Sequence, residues 1–436
     1  MRIRPMAFGM LAASVWSMSA FADQPELRAS FSASGSIEAG QVVSGWDRRA
    51  TNLHVDHVWM QRAYLQLTLK GELGDHAAAF LGGEDMVTYS WTKQQEKYPT
   101  LKPECTFYPH HVEGQYWVGN KDQPLLFFGA GIFPFKYNPD VKNLGEYLYR
   151  TGTYPGYLIN EFDFPMNRLM GLRMAGNPLS WIKLTGMLTS EPYQLPLLDW
   201  GVSGLVDCNI GKVLNIGAGV FFSHLLSINK NYTTPKTFDN IIQDTANPAD
   251  TSYYTFRGTK VMARFSFDPK PFFNTRLFGE DDLRLYAEAA VIGVKDYPVY
   301  YDTLWQRVPV MVGFNCPFPL NFLTRQLWNF ALIDMFSLEV EWYGSRYPDS
   351  YYRVWTLNNI PQPYQDPATV GVIDYRKDDW KWSVYAKKKL GLFTFAGQIA
   401  NDHVRLVRHD DEAADREEAL RTPKDWEWML KCGFGF

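Results

Sequence analysis

The segment His54-Val55-Asp56-His57 has the look of a metal-binding fragment. Imidazole and carboxylate groups hold a divalent metal when three or four of them converge on one point. This segment borders an extended stretch, and in a strand His54 and His57 fall on opposite faces, which argues against shared ligation. Pro109-His110-His111 and His409-Asp410-Asp411 fall in connecting segments, where they could touch a surface metal or lipopolysaccharide. Cys105, Cys208, Cys316 and Cys432 lie far apart, without the spacing of a metal site or of a small disulfide framework, although a pair involving Cys105 stays open. No Gly-rich phosphate loop and no G-x-S-x-G elbow occurs. Nothing in the pattern sets a nucleophile beside a base. The expectation is therefore no catalytic residue, no metal and no cofactor.

The remaining charged residues follow a different rule. They recur at every second position, alternating with apolar residues, as in half-buried strands. Arg62, Gln66, Thr68 and Lys70 alternate with Leu65, Leu67 and Leu69. Arg173 lies between Leu172 and Met174, and Lys183 between Ile182 and Leu184. Lys260, Arg264 and Ser266 alternate with Val261, Ala263, Phe265 and Phe267. Arg284, Tyr286 and Glu288 alternate with Leu283, Leu285, Ala287, Ala289 and Val291. Glu339, Glu341 and Tyr343 alternate with Leu338, Val340 and Trp342, and Lys381 lies between Trp380 and Trp382. The charges thus sort to one face, which must be filled with water or plugged by the chain itself. The charged set leans basic, with its acids on the eleventh and thirteenth of the expected strands. Opposed basic and acidic walls would set up a transverse field that filters solutes by charge and polarity.

The two ends say where such strands belong. Arg2 and Arg4, the apolar run Met6–Met18 and Ala20-Phe21-Ala22 form a secretory signal for residues 1–22, leaving 23–436 as one domain. At the other end Trp426, Trp428, Leu430, Cys432, Phe434 and Phe436 occupy alternate positions. This pattern resembles the closing strand of Gram-negative outer-membrane barrels, where it is the signal read by the barrel-assembly machinery.

Composition agrees. The 436 residues are 16% aromatic, yet mean hydropathy is −0.27, the mixture a barrel with a wet interior and aromatic girdles requires. Past the first 22 residues no apolar run is long enough for a membrane-spanning helix, so an apolar-walled secreted chain must hide its backbone in a closed sheet. Net charge is −4, and −6 once Arg2 and Arg4 are removed, which gives no support to nucleic-acid binding.

Sixteen strands are expected: near 30–43, 57–70, 77–86, 112–119, 125–133, 168–175, 180–189, 201–209, 213–224, 253–267, 282–294, 305–314, 335–345, 379–389, 391–401 and 425–436. The links alternate between short turns and long loops, as periplasmic and extracellular connections do. The long ones are 87–111, 134–167, 225–252, 346–378 and 402–424; the links 268–281 and 315–334 are longer than the other turns, the second with a short helix around Phe322–Leu332.

The expected fold is therefore all-β, a transmembrane antiparallel barrel of about sixteen strands. In strand order it resembles the general and sugar-type porins, whose third outer loop folds inward and narrows the lumen. That resemblance implies a role for 134–167 and makes Lys136, Asp140, Lys142, Glu146 and Arg150 candidate eyelet charges, with Tyr147, Tyr149 and Tyr154 as flat faces for sugar rings. It also implies an outer-membrane location, passive diffusion of small hydrophilic solutes (anions or sugars among them), contact with outer-membrane lipid and lipopolysaccharide, and a homotrimer. Smaller outer-membrane barrels act as phospholipases through Ser–His or as proteases through Asp and His, but this chain shows no such pairing. The main alternative is a surface or adhesion protein with a plugged barrel.

Overall fold

The computed structural model describes residues 26–47, 53–91, 104–149, 167–190, 199–226, 228, 241–243, 251–253, 258–273, 277–294, 303–345, 378–404, 419–420 and 422–436. Residues 1–22, Arg150, Tyr154, His409-Asp410-Asp411 and most of the residues expected to form long links lie outside the described residues.

The strands are β1 (Leu27–Asp47), β2 (Leu53–Leu73), β3 (Ala77–Trp91), β4 (Glu104–Gly119), β5 (Pro124–Phe135), β6 (Asn167–Leu179), β7 (Ile182–Ser190), β8 (Trp200–Ile210) and β9 (Leu214–Leu226). After a small hairpin of β10 (Ile241–Gln243) and β11 (Thr251–Tyr253) come β12 (Gly258–Phe267), β13 (Leu285–Val291), β14 (Val310–Asn315), β15 (Met335–Ser345), β16 (Asp378–Leu390), β17 (Phe393–Asn401) and β18 (Trp426–Gly435). Leaving out the hairpin, these pair in sequence order and β1 pairs with β18, closing a sixteen-stranded antiparallel barrel. Each barrel strand answers to one expected from the alternation. Several run longer; β1 and β2 reach 21 residues each and pair along nearly their whole length.

Short turns gather at one end, where Gly211 and Gly391 take positive φ of 61°, a conformation glycine adopts without the Cβ clash. At that end the β14–β15 link contains helix α1 (Pro319–Trp328). It starts earlier than the sequence pattern implied because Pro319 is preset for a first helical turn. It stops at Asn329, which is left-handed at φ 51°.

Parity divides the wall as the side-chain alternation requires. Leu65, Leu67, Leu69, Leu172, Leu338 and Val340 are exposed on the outer face, while Arg62, Tyr286, Glu288, Glu339 and Glu341 are buried on the inner one. Each large apolar side chain facing water forgoes about 1.5–3 kcal/mol, so a belt of them is unsuited to water. The interior carries two apolar clusters. One joins Tyr137, Leu144, Tyr147, Leu148 and Tyr149 to wall residues such as Phe133, Phe221, Met262 and Tyr286. The other gathers Val42, Val58, Met60, Tyr385, Val404, Leu420 and Met429 on the β1–β2 and β16–β18 side.

Candidate functional site

After Phe135 the chain turns into the barrel instead of over its rim. The first segment of this loop closes on itself. The Glu146 carboxylate accepts from the backbone N–H of Tyr137 (2.5 Å) and Asn138 (2.8 Å), and Lys136 donates to the Val141 carbonyl at 2.8 Å. Gly145 and Glu146 both adopt positive φ, 88° and 59°. Through this segment the backbone N–H groups of residues 142–146 face the barrel wall, where each can donate to an anion.

The anions are supplied by the wall. Glu339 on β15 accepts from Lys142 N at 2.6 Å, Asn143 N at 2.9 Å and Leu144 N at 3.0 Å. Glu341, two residues along the same inner face, accepts from Gly145 N at 3.2 Å and from the Tyr147 hydroxyl at 2.9 Å. Glu288 on β13 accepts from Glu146 N at 2.5 Å. Five consecutive loop amides therefore end on three wall carboxylates. Around them, Tyr286 donates to Glu339 at 2.8 Å, Asn143 donates to Asp402 at 2.7 Å, and His403 Nε2 lies 2.6 Å from Glu341. A side chain at Gly145 would be strained by its φ of 88° and would push on its neighbours, its Cβ standing 2.7 Å from Met311 Cε and 2.8 Å from Glu288 Oε2.

This arrangement corrects the expectation of opposed basic and acidic walls. Glu288, Glu339 and Glu341 do not stand free across the lumen; they hold the loop. The arginines are neutralised locally. Arg62 pairs with Glu38 at 2.5 Å, Arg173 with Glu113 at 2.6 Å, Arg264 with Asp207 at 2.6 Å and Arg284 with Asp140 at 2.9 Å. A charge with a bonded counterion projects little field, so the basic lean read from sequence does not survive as a basic surface. Arg168, not singled out from the sequence, pairs with Glu84 at 2.5 Å. Of the lysines, Lys183 is exposed, Lys260 is buried, and Lys381 is buried and donates to the Leu420 carbonyl at 2.6 Å.

The loop residues are corrected too. Asp140 and Glu146 are buried and consumed by the contacts above, and Lys136 and Lys142 are half-buried. Tyr147 and Tyr149 are 3% and 0% exposed, so neither offers a face to a passing sugar. Tyr149 stacks at its edge on Phe135, with ring centroids 5.4 Å apart. Burial pushes the hydroxyl pKa of Tyr137, Tyr147 and Tyr149 up and raises the Glu146 carboxyl above its ordinary range.

His54 and His111 are both engaged by neighbouring polar groups. His54 Nε2 lies 3.0 Å from Ser44 Oγ and its Nδ1 lies 3.2 Å from Asp56, which has the outline of a hydrolytic triad. However, the Ser44 hydroxyl donates its one proton to Asp425 at 2.9 Å, so His54 meets a lone pair rather than a proton to abstract. His111 stacks on Phe80 at 4.1 Å and bonds Glu113 at 3.0 Å. Among the described residues no three His, Cys, Asp or Glu side chains are placed to hold a metal ion. Cys208, Cys316 and Cys432 are unpaired.

No protein-family profile matches the sequence, and no curated protein matches it. Among solved structures the chain is similar to Pseudomonas putida OprB (11% identity, 94% of each chain covered, TM-score 0.49). It is also similar to Salmonella typhi OmpF (9% identity, 95% of this chain and 98% of that chain, TM-score 0.44) and to an engineered variant of the Rh. blastica porin (9% identity, 94% and 100%, TM-score 0.42). The likeness is one of barrel architecture, which the strand pairing already defines, and no residue role is carried across.

Proposed function

We propose that the chain is an outer-membrane porin that passes small, hydrophilic, uncharged solutes by diffusion through a barrel narrowed by the loop after Phe135. The observation that carries this reading is the loop itself: it is folded inward and held by Glu288, Glu339 and Glu341, inside a wall whose outer face is apolar. A loop held at this many points is a rigid fitting that sets a bore. The paired arginines favour neutral solutes such as sugars over anions, since Arg62, Arg173, Arg264 and Arg284 each carry a carboxylate partner. Export by residues 1–22, barrel assembly through β18, contact with lipid and lipopolysaccharide and a homotrimer belong to the same reading. No catalytic step is part of it.

A second reading has its own support. The apolar cluster of Val42, Val58, Met60, Tyr385, Leu420 and Met429 adds buried apolar side chains on the β1–β2 and β16–β18 side, as the interior of a plugged surface protein would. Single-channel conductance of the refolded chain in a planar bilayer separates the two. Steps with near-equal cation and anion permeability, blocked by added sugar, support the porin. An inserted barrel without conductance removes it in favour of the plugged protein.

A further inference from the structure

Helix α1 has its polarity reversed. Its buried residues are Asn321 and Thr324, while Leu320, Leu323, Leu327 and Trp328 are exposed, Trp328 at 69%. These four share one face by their spacing of three, four and one residues. The polar side chains are committed inward. Asn321 donates to the Ile333 carbonyl at 2.6 Å and accepts from Leu332 N and Ile333 N at 2.8 and 3.2 Å. Arg325 donates to the Leu277 carbonyl at 2.6 Å and to Asp282 at 3.3 Å. Only Gln326 adds a polar side chain to the exposed part of the helix. A helix covering a protein in water shows the opposite arrangement.

Both flanks of the link grip the outer rim of the barrel. Phe318 packs edge-on against Phe336 at 6.0 Å, and Phe336 shares the outward parity of Leu338 and Val340. At the other flank Lys388, of the same outward parity as Trp380, lies 4.4 Å over the Phe330 ring and bonds Asp334 at 2.8 Å. The neighbouring β12–β13 link joins in through Phe278, whose ring meets Phe322 at 5.7 Å, and it adds exposed Phe272 and Phe273. The apolar surface of α1 is thus continuous with the apolar outer wall.

We infer that α1 is a monotopic lipid anchor, lying along the bilayer at the short-turn end with its leucine and tryptophan face among phospholipid acyl chains. The inference rests on the outer-membrane reading above. Continuity with the outer wall selects lipid over a water-soluble partner, because the Phe318–Phe336 contact carries the apolar face onto the wall and the Lys388–Asp334 pair at the other flank suits the headgroup level.

The test places a photo-crosslinking residue by Leu327→p-benzoylphenylalanine in the full chain, reconstituted in phosphatidylethanolamine–phosphatidylglycerol vesicles. A second variant, Val340→p-benzoylphenylalanine, reports the outer wall of β15. After irradiation, mass spectrometry should find phospholipid adducts at both sites, with yields within about twofold. Adducts at position 340 with none at 327, or a cross-link from 327 to a second copy of the chain, would overturn the anchor while leaving the membrane barrel intact. No lipid adduct at either site would overturn the membrane reading, and the anchor with it.

Discussion

Replacing Glu339 by glutamine changes one atom and should release the loop. Each carboxylate oxygen of Glu339 accepts two hydrogen bonds: Oε1 from Lys142 N and the Tyr286 hydroxyl, Oε2 from Asn143 N and Leu144 N. In Glu339→Gln one oxygen becomes an NH2 group. Placed at Oε1 it opposes the Lys142 N–H, while the Tyr286 hydroxyl can turn to donate to Ser337 Oγ at 2.7 Å and accept from the new amide. Placed at Oε2 it opposes both Asn143 N and Leu144 N. Bonds to a charged partner contribute roughly 1.5–3 kcal/mol each and neutral ones about half that, so losing at least one and weakening the rest loosens the docked loop by about 3 kcal/mol. That corresponds to about a hundredfold larger open population. The β15 ladder to β14 and β16 keeps its backbone pairing, so the barrel itself should survive. Hydrogen–deuterium exchange in detergent is the assay. The amides of Lys142, Asn143 and Leu144 should exchange about a hundredfold faster, while those of β15 keep their protection. Loop amides that keep their wild-type exchange rates would refute the claim that this carboxylate holds the loop.

Gly145→Ala should be as disruptive by a separate route, since its φ of 88° and the 2.7 Å approach of Met311 would strain an added Cβ; a cost of about 1–3 kcal/mol would show as cleavage of the loop by a protease that spares the parent. Arg62→Leu leaves Glu38 buried with Lys431 at 3.4 Å as its remaining ionic partner. A broken buried pair costs about 3–5 kcal/mol, read as a lower unfolding midpoint in detergent, whereas a change within error would show the pair to be dispensable. The Glu146 carboxyl is raised by burial, so the docked loop binds more protons than the released one. Docking should therefore be tightest below the ordinary glutamate pKa of about 4.3 and weaken as pH rises towards the raised value. Exchange of the loop amides against pH should show this slope, and Glu146→Gln should reduce it.

The architecture was legible because period-two alternation is a one-dimensional signal: Leu65, Leu67 and Leu69 against Arg62 and Gln66 declare two faces without reference to any other strand. The inward path of the loop was legible only through its place in the strand order. What the chain alone withheld was partnership. Arg62 faces Glu38 because β1 and β2 run in one particular register, and Arg264 reaches Asp207 across β9 rather than the Glu288 directly opposite it. Register depends on tertiary closure, so a list of inward cations read without it overstates free positive charge. Glu38, Glu113, Asp207, Asp402 and His403 went unnoticed for the same reason, each being defined by what lies beside it. The tyrosines failed differently: an aromatic side chain in a loop reads as available, and only the packed interior shows Tyr147 and Tyr149 to be spent on cohesion.

Closure has a kinetic side. The seam of the barrel joins Ala33 to Phe436 by two backbone hydrogen bonds, at 3.0 and 3.1 Å, between residues about 400 positions apart in the chain. Every other strand pair in the barrel joins sequence neighbours and can form by local hairpin growth. The seam cannot: it waits for both ends, and until they meet the sheet carries two raw edges able to capture one another on different chains. The joining of β1 to β18 should therefore lag behind the local pairings, and its yield should fall as chain concentration rises. Any factor that speeds assembly has one place to act, by holding those two edges until they find each other.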